Sequence, residues 1–268
     1  MTVLLVPWLA PRSAGAQGAP ADTTRPPAAF SRVETKRFAT VAALGGLAYL
    51  GDQAARDAVR GTGPQGNGVL DGLTEFGNAW GQPGVVGLGF AMWGGGLLAK
   101  KPTVAASGLR AIEAITVSGT VTSLLKMTFG RARPYLSPDD PSNLQLFRGV
   151  DATDGRYASM PSGHATAAFA FASAVTGEVR LRAPEHARTV GVLTYGAALA
   201  TAYARMHDDR HWLSDVTVGA GIGTVTGWAI TRWHATRPEN PIDRVLLRPV
   251  LAPAPLGGMR VGVSLLTR

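Results

Sequence analysis

The sequence predicts an all-α protein, a six-helix bundle with long loops that carry the active site at one end. From residue 38 onward, stretches rich in Ala, Gly, Val, Leu and Thr alternate with polar loops, and none shows the two-residue alternation of half-buried strands. Glycines recur inside these stretches, as in the run Gly94-Gly95-Gly96. Each would cost about 1 kcal/mol in an exposed helix, so they indicate helices in close contact.

Six helices follow from this pattern, at residues 38–59, 83–99, 106–126, 163–178, 188–205 and 212–233. The first begins with an uncharged run that reaches residue 51, and the second is uncharged throughout. The third ends on Lys126, and the fourth follows Ser162, a favourable N-cap residue. The fifth and sixth helices are likewise rich in Ala, Gly, Val, Leu and Thr. Long loops are expected at 60–82 and 134–161.

The two ends of the chain differ from this bundle. Residues 1–16 run from an apolar stretch into Ala14-Gly15-Ala16, which predicts a signal peptide, although the basic region that usually precedes one is missing. Residues 17–37 are expected to be a linker, and 38–235 the helical domain. A Pro-rich C-terminal tail follows at 236–268, where Met259–Leu266 is expected to form a short strand or a docking arm.

Composition excludes several classes of chemistry. The 268 residues contain no Cys, which removes disulfide scaffolds, thiolate zinc sites, iron–sulfur clusters and thiol nucleophiles. The net charge of +8 suits nucleic acid, anionic lipid or a phosphorylated substrate. Nucleic acid is the least supported of the three partners, because no basic run is interleaved with aromatic residues.

Three clusters place cations or histidines at the ends of predicted helices. The first is Lys126 followed after six residues by Arg133-Pro134. Two cations at a helix C-terminus also suit the helix dipole, so this cluster alone has a purely structural explanation. The second is Pro161-Ser162-Gly163-His164, where the free amides of a helix N-terminus favour an anion.

The third cluster is Arg205, then His211, then Asp215. His211 and Asp215 are four residues apart, so they share a helix face and the carboxylate can orient the imidazole. An isolated pair of this kind also occurs as a solvated surface contact. All three clusters together supply cations, backbone donors and an oriented nucleophile, which is the set that a phosphoryl group requires.

These clusters resemble the three signatures of the type 2 phosphatidic acid phosphatase superfamily, which is similar in fold and site to the vanadium haloperoxidases. The resemblance covers roughly residues 106–233. One departure is Ala204, where the family usually has Ser before the arginine of the third motif. That difference puts one hydrogen bond to phosphate in doubt.

The resemblance implies a role for each matched residue. His211 would attack phosphorus to give a phosphohistidine, and Asp215 would hold its tautomer. His164 would protonate the leaving oxygen. The phosphate oxygens would be held by Lys126, Arg133, Arg205, Ser162 and the Gly163 amide, with no metal and no cofactor.

The function expected from this resemblance is a metal-independent phosphatase acting on a phosphomonoester or diphosphate, with a lipid phosphate as one candidate substrate. The alternative is a vanadate-dependent haloperoxidase. Partners would be the phosphorylated substrate and a membrane surface or bilayer. Short uncharged stretches favour an exported periplasmic protein slightly over a six-span membrane protein, and both arrangements place the site on the non-cytoplasmic side of the cell envelope.

Overall fold

The computed structural model describes residues 32–150, 155–247, 249–253 and 259–263. Ten α-helices lie in these ranges: α1 (Arg32–Tyr49), α2 (Asp52–Arg60), α3 (Thr62–Gln65), α4 (Gly68–Ala79), α5 (Val85–Leu98), α6 (Pro102–Phe129), α7 (Gly163–Arg182), α8 (Ala187–His207), α9 (Leu213–Ala235) and α10 (Pro241–Leu246). A two-stranded antiparallel hairpin follows, β1 (Pro249–Pro253) and β2 (Met259–Val263). The all-α prediction is confirmed, and the hairpin contains part of the predicted tail strand.

The predicted elements need three corrections at the N-terminal end. Helix α1 begins at Arg32, so the last residues of the predicted 17–37 linker are helical. The predicted helix at 38–59 is two helices, α1 and α2, separated at Leu50 and Gly51. The predicted loop at 60–82 holds α3, α4 and the start of a wide helical turn, Trp80–Gly84. The predicted signal peptide at 1–16 lies outside the described residues.

Helix α7 is the centre of the bundle and packs against α6, α8 and α9. Six of its fourteen buried residues are alanine, whose small side chain lets the neighbouring helices approach closely. A Cβ placed on Gly223 of α9 would lie 2.3 Å from the backbone oxygen of Thr166, so this glycine allows the α7–α9 contact. The expectation of close contacts is wrong for Gly94 and Gly95, which have no atom within 4 Å of such a Cβ.

The start of the C-terminal tail docks at the end of the bundle opposite Lys126. Arg110 of α6, 1% exposed, donates to both carboxylate oxygens of Asp243 in α10, at 2.7 and 2.8 Å. The indole nitrogen of Trp93 donates to the backbone oxygen of Leu246 at 2.9 Å. Within the described residues, no helix combines the length and the apolar character needed to cross a membrane.

Candidate active site

Four helix ends meet where the three sequence motifs converge. Lys126 lies in the last turn of α6, and Ser162 caps the N-terminus of α7. Arg205 lies in the last turn of α8, and His211 lies two residues before the start of α9. Ser162 N–H donates to the backbone oxygen of Asp215 at 2.9 Å, which ties the second motif to the third. The structure therefore brings the predicted site residues together.

Three cations line this end of the bundle, and backbone or amide oxygens fix each of them. Lys126 Nζ donates to the backbone oxygen of Ala158 and lies 3.4 Å from that of Ser159. Arg133 Nε donates to Gly155 O at 2.7 Å. Arg205 donates to Asn78 Oδ1 at 2.6 Å, while its buried Nε has no partner among the described residues.

The pKa values show that positive charge is concentrated here. Burial lowers the pKa of Lys126 to about 7, Arg133 and Arg205 act in the same direction, and Asp215 opposes them. Burial also lowers the pKa of Arg133 and of Arg205, whose charges repel each other. Mutually repelling, poorly solvated cations are stabilised by an anion, so the cluster is prepared for a negatively charged ligand.

His164 lies in the first turn of α7 beside the Trp80–Gly84 turn. A Cβ on Gly81 would lie 2.7 Å from Cδ2 of the His164 ring, so only glycine leaves the ring in its place. Burial lowers the pKa of His164 to about 4, and the charges of Arg205, Arg133 and Lys126 add to the shift. A bound anion would reverse that electrostatic part and favour the protonated ring.

Ser162 and Gly163 provide the backbone turn predicted from the sequence. Ser162 Oγ accepts from the Ala165 amide at 3.5 Å, as expected of an N-cap. A Cβ on Gly163 would meet Lys126 Cε and Gln82 Oε1, each at 3.9 Å. Gly163 therefore lies between the lysine and the Trp80–Gly84 turn, where its amide belongs to the free first turn of α7.

His211 and Asp215 are both buried, but they do not share a helix face as their spacing predicted, because α9 begins at Leu213 and His211 lies before it. His211 Nδ1 is 3.7 Å from Asp215 Oδ2, slightly longer than a hydrogen bond, as is common for catalytic pairs without a ligand. Burial lowers the pKa of His211 to about 3, with Asp215 opposing, so the ring is neutral at pH 7. Burial alone would raise the pKa of Asp215, but His211, Arg131 and Ser159 outweigh it and hold the value at about 2.

Several residues that shape the site were not found from the sequence. Asn78 orients Arg205, and Gly81 sets the position of His164. Asp215 accepts from Ser159 Oγ at 2.5 Å, from the Trp212 amide at 2.9 Å and from Arg131 NH1 at 2.7 Å. Ser159 lies beside the second motif and Arg131 lies inside the first. Their closeness to these motifs is the sequence signal that could have identified them as site residues.

Helix α2 supports the turn that leads into His211. Arg56 binds Asp209 through both carboxylate oxygens, at 2.7 and 2.8 Å, and Arg56 NH1 lies 3.2 Å from Pro138 O. Arg60 donates to the His207 backbone oxygen at 2.9 Å. Helix α2 therefore binds both the turn before His211 and the loop that follows Arg133.

Part of the sequence is similar to known proteins. The model of the PAP2 superfamily matches residues 107–239. Lipid A 1-phosphatase of Porphyromonas gingivalis is 32% identical over 114 residues, which are 42% of this chain and 20% of that protein. The chain thus spans about a fifth of the length of that relative.

A solved structure shares the fold. It is the crystal structure of the first transmembrane PAP2 type phosphatidylglycerolphosphate phosphatase from Bacillus subtilis, with a TM-score of 0.57, 18% identity, and coverage of 76% of this chain and 96% of that one. The matched family segment contains all eight site residues predicted from the sequence, and the structure places them at one end of one helical bundle. The chain therefore belongs to the type 2 phosphatidic acid phosphatase (PAP2) superfamily.

Proposed function

We propose that this protein is a metal-independent phosphatase that hydrolyses a phosphate ester through a phosphohistidine on His211. The observation that carries the proposal is the convergence of three partly buried, mutually repelling cations on a neutral histidine. A phosphate group would neutralise Lys126, Arg133 and Arg205, and the Gly163 amide would donate to one of its oxygens.

In the first step, Nε2 of His211 attacks phosphorus. The bond to the leaving oxygen breaks, its electron pair stays on that oxygen, and the oxygen takes a proton from His164. The negative charge of the bound phosphate raises the pKa of His164 from its value in the free protein and so favours the proton that this step uses. Asp215 balances the positive charge that develops on the phosphorylated ring.

In the second step, water attacks phosphorus and gives a proton to His164, which now acts as a base. The phosphorus–nitrogen bond breaks, its electron pair returns to Nε2, and inorganic phosphate leaves. Each proton and electron pair in the two steps is accounted for by His211, His164, substrate and water. The proposed reaction requires no metal and no cofactor.

The substrate class that we propose is a lipid phosphate. An apolar groove of about 400 Å³ runs along the bundle between α5, α6, α7 and α8, within the roughly 300–1,000 Å³ of small-molecule pockets. It starts at Trp80, the neighbour of Gly81 at the His164 ring, and reaches Val179 near the far end of α7. The relatives named above are phosphatases of lipids, which supports the same substrate class.

The proposed location is a membrane surface of the cell envelope, with the site on the non-cytoplasmic side. Large apolar side chains are exposed on the outward faces of several helices, for example Leu47 of α1, Val69 of α4, Phe90 of α5, Leu124 of α6 and Leu199 of α8. An apolar surface of this extent favours contact with lipid over contact with water.

Phosphate release tests the proposed function. Purified full-length protein is assayed with a chromogenic aryl phosphate, phosphatidate, phosphatidylglycerol phosphate and a polyprenyl diphosphate, each with and without a metal chelator. We expect turnover that survives the chelator and an acid-labile, alkali-stable phosphoenzyme in rapid-quench experiments. His211→Ala is expected to lower kcat by about four orders of magnitude or more, because it removes the nucleophile.

The matched control is His186→Ala, which removes a histidine with 71% of its side chain exposed, outside the site. It should keep wild-type turnover. Wild-type-like turnover in folded His211→Ala protein would contradict the proposal.

A further inference from the structure

A buried ion-pair network lies directly behind the candidate nucleophile. Arg131 is 1% exposed and lies five residues after Lys126, inside the first motif. Its NH1 donates to Asp215 Oδ1 and its NH2 donates to Asp52 Oδ2, both at 2.7 Å. One guanidinium therefore bridges two carboxylates that are 0% exposed.

Asp52 also binds the first turn of α9. Its Oδ1 accepts from the Ser214 amide at 2.7 Å, and its Oδ2 accepts from Ser214 Oγ at 2.6 Å. The Ser214 hydroxyl oxygen accepts in turn from Arg131 NH1 at 2.7 Å. Asp52 thus occupies the positive N-terminal end of the helix that carries Asp215, and His211 immediately precedes that helix.

The position of Asp52 in the chain makes this contact informative. It is the first residue of α2, directly after the break at Leu50 and Gly51, and it lies outside the segment matched by the family model. Without the break, α1 would continue and Asp52 would not begin a new helix against α9. The N-terminal helices therefore contribute a charged group to the surroundings of the motif residues.

Building on the proposed function, we propose that Asp52 and Arg131 are positioning residues for catalysis: the Asp52–Arg131 pair holds Asp215 in place, and Asp215 holds the His211 imidazole. Asp215 Oδ1 accepts from Arg131. Its Oδ2 accepts from Ser159 Oγ and the Trp212 amide and lies 3.7 Å from His211 Nδ1. If Asp52 is lost, Arg131 keeps one carboxylate partner instead of two, and the orientation of Asp215 changes.

The test compares two substitutions that each remove one carboxylate from a buried aspartate–arginine pair. Asp52→Asn acts behind His211, and the control, Asp243→Asn, breaks the pair with Arg110 at the other end of the bundle, where the arginine is likewise 1% exposed. We expect Asp52→Asn to lower kcat about tenfold or more, because small misplacements of a reacting group are costly. The inhibition constant for inorganic phosphate should stay within about twofold, since the three phosphate cations are untouched.

Asp243→Asn should keep kcat, even where its melting temperature falls as much as that of Asp52→Asn.

A double-mutant cycle adds a readout that a merely structural role would not move. In an Asp215→Asn background, Asp52→Asn should have little further effect on kcat, because its effect passes through Asp215. Additive losses in the cycle, or equal losses of kcat in Asp52→Asn and Asp243→Asn, would overturn the proposal.

A second measurement separates this proposal from the proposed function. Imidazole ¹⁵N spectra of the full chain, with His211 assigned by comparison with His211→Gln, report its tautomer without any turnover. We expect one tautomer with the proton on Nδ1 in the wild type and a mixture in Asp52→Asn. An unchanged tautomer in Asp52→Asn contradicts the inference, whereas absence of phosphate release in the wild type contradicts only the proposed function.

Ser214→Ala provides a milder variant in case Asp52→Asn does not fold. It removes the hydroxyl that donates to Asp52 and accepts from Arg131, and it leaves every charge in place. Its control is Ser173→Ala, which removes a serine of α7 whose hydroxyl donates to Thr224 O at 2.8 Å, remote from the site. A loss of kcat confined to Ser214→Ala supports the positioning role, and equal kcat in the two variants overturns it.

Discussion

Lys126 shows how a single residue combines burial with charge. Its ammonium is held by backbone oxygens of 158 and 159, and among the described residues no carboxylate lies within ion-pair distance of it. Burial lowers its pKa to about 7, with Arg133 contributing. The same nitrogen is therefore a charged ammonium in acid and a neutral amine in base.

The pH dependence of anion binding follows from this pKa. Below pH 7 the Lys126 ammonium is charged and contributes to phosphate affinity, and as pH rises through about 7 the free protein loses that charge. We expect the inhibition constant for inorganic phosphate to rise about tenfold between pH 6 and pH 9, the loss of roughly one charge-assisted hydrogen bond. The inhibition constant is measured by competition between inorganic phosphate and an aryl phosphate substrate.

Lys126→Arg is the control, because a guanidinium keeps its charge over the whole range. The ionisation of phosphate itself is common to both proteins, so the ratio of their inhibition constants isolates the lysine. A ratio that does not change with pH would show that Lys126 does not titrate in this interval.

At the scale of elements, the turn Trp80–Gly84 connects α4 to α5 and forms one wall of the site. Gly81 departs from helical geometry, with φ −49° and ψ −150°, and its Cα faces the His164 ring. Single π-type turns inside helices are frequent at functional sites, where they re-aim a side chain or backbone. Here the turn leaves room for an imidazole.

Gly81→Ala should therefore affect catalysis more than stability. The added Cβ would lie 2.7 Å from Cδ2 of His164, so the ring has to move, and we expect kcat to fall about tenfold or more. The control is Gly87→Ala in α5, where a Cβ meets nothing within 4 Å. It should keep kcat and raise stability by about 0.5–1 kcal/mol. Equal kcat in both variants would show that Gly81 does not matter for the position of His164.

Residues at helix ends were predictable, and long-range partners were not. Lys126, Ser162 and His211 mark the ends of helices through local signals such as capping and spacing, and the structure places them there. Asp52 and Arg131 are 79 residues apart, and one sequence holds no sign that they pair.

The region at 60–82 was mispredicted because its glycines argue against helix formation locally. Tertiary contacts of α4 with α8 outweigh that preference. Asn67 was the available signal: its side chain accepts from the amides of Val69 and Leu70, at 3.0 and 3.3 Å, as an N-cap.

At the scale of the whole molecule, the bundle joins a charged site at one end to an apolar groove along its side. Leu88 of α5 and Leu193 of α8 lie on two walls of the groove, and both are exposed to its opening, at 36% and 66%. The apolar groove is complementary to an acyl chain, whereas the cation cluster is complementary to a headgroup phosphate. A lipid phosphate would join the two regions in one ligand.

The double substitution Leu88→Glu with Leu193→Glu tests whether a chain occupies the groove. Each methylene buried there is worth about 0.8 kcal/mol, so kcat/KM of the wild type should rise with acyl chain length, and charged walls should flatten that rise. We expect at least about a tenfold loss for a long-chain lipid phosphate, the equivalent of two methylenes, and none for an aryl phosphate.

The matched control is Phe90→Glu with Leu199→Glu, which places the same charges on exposed positions of the same helices outside the groove lining, at 51% and 62% exposure. Both pairs weaken contact with a lipid surface to a similar extent, so only occupancy of the groove distinguishes them. A chain-length dependence that flattens in the groove pair alone assigns the acyl chain to the groove. Equal flattening in both pairs would assign the dependence to the outer surface of the bundle, because the two pairs share the number, sign and helices of the added charges.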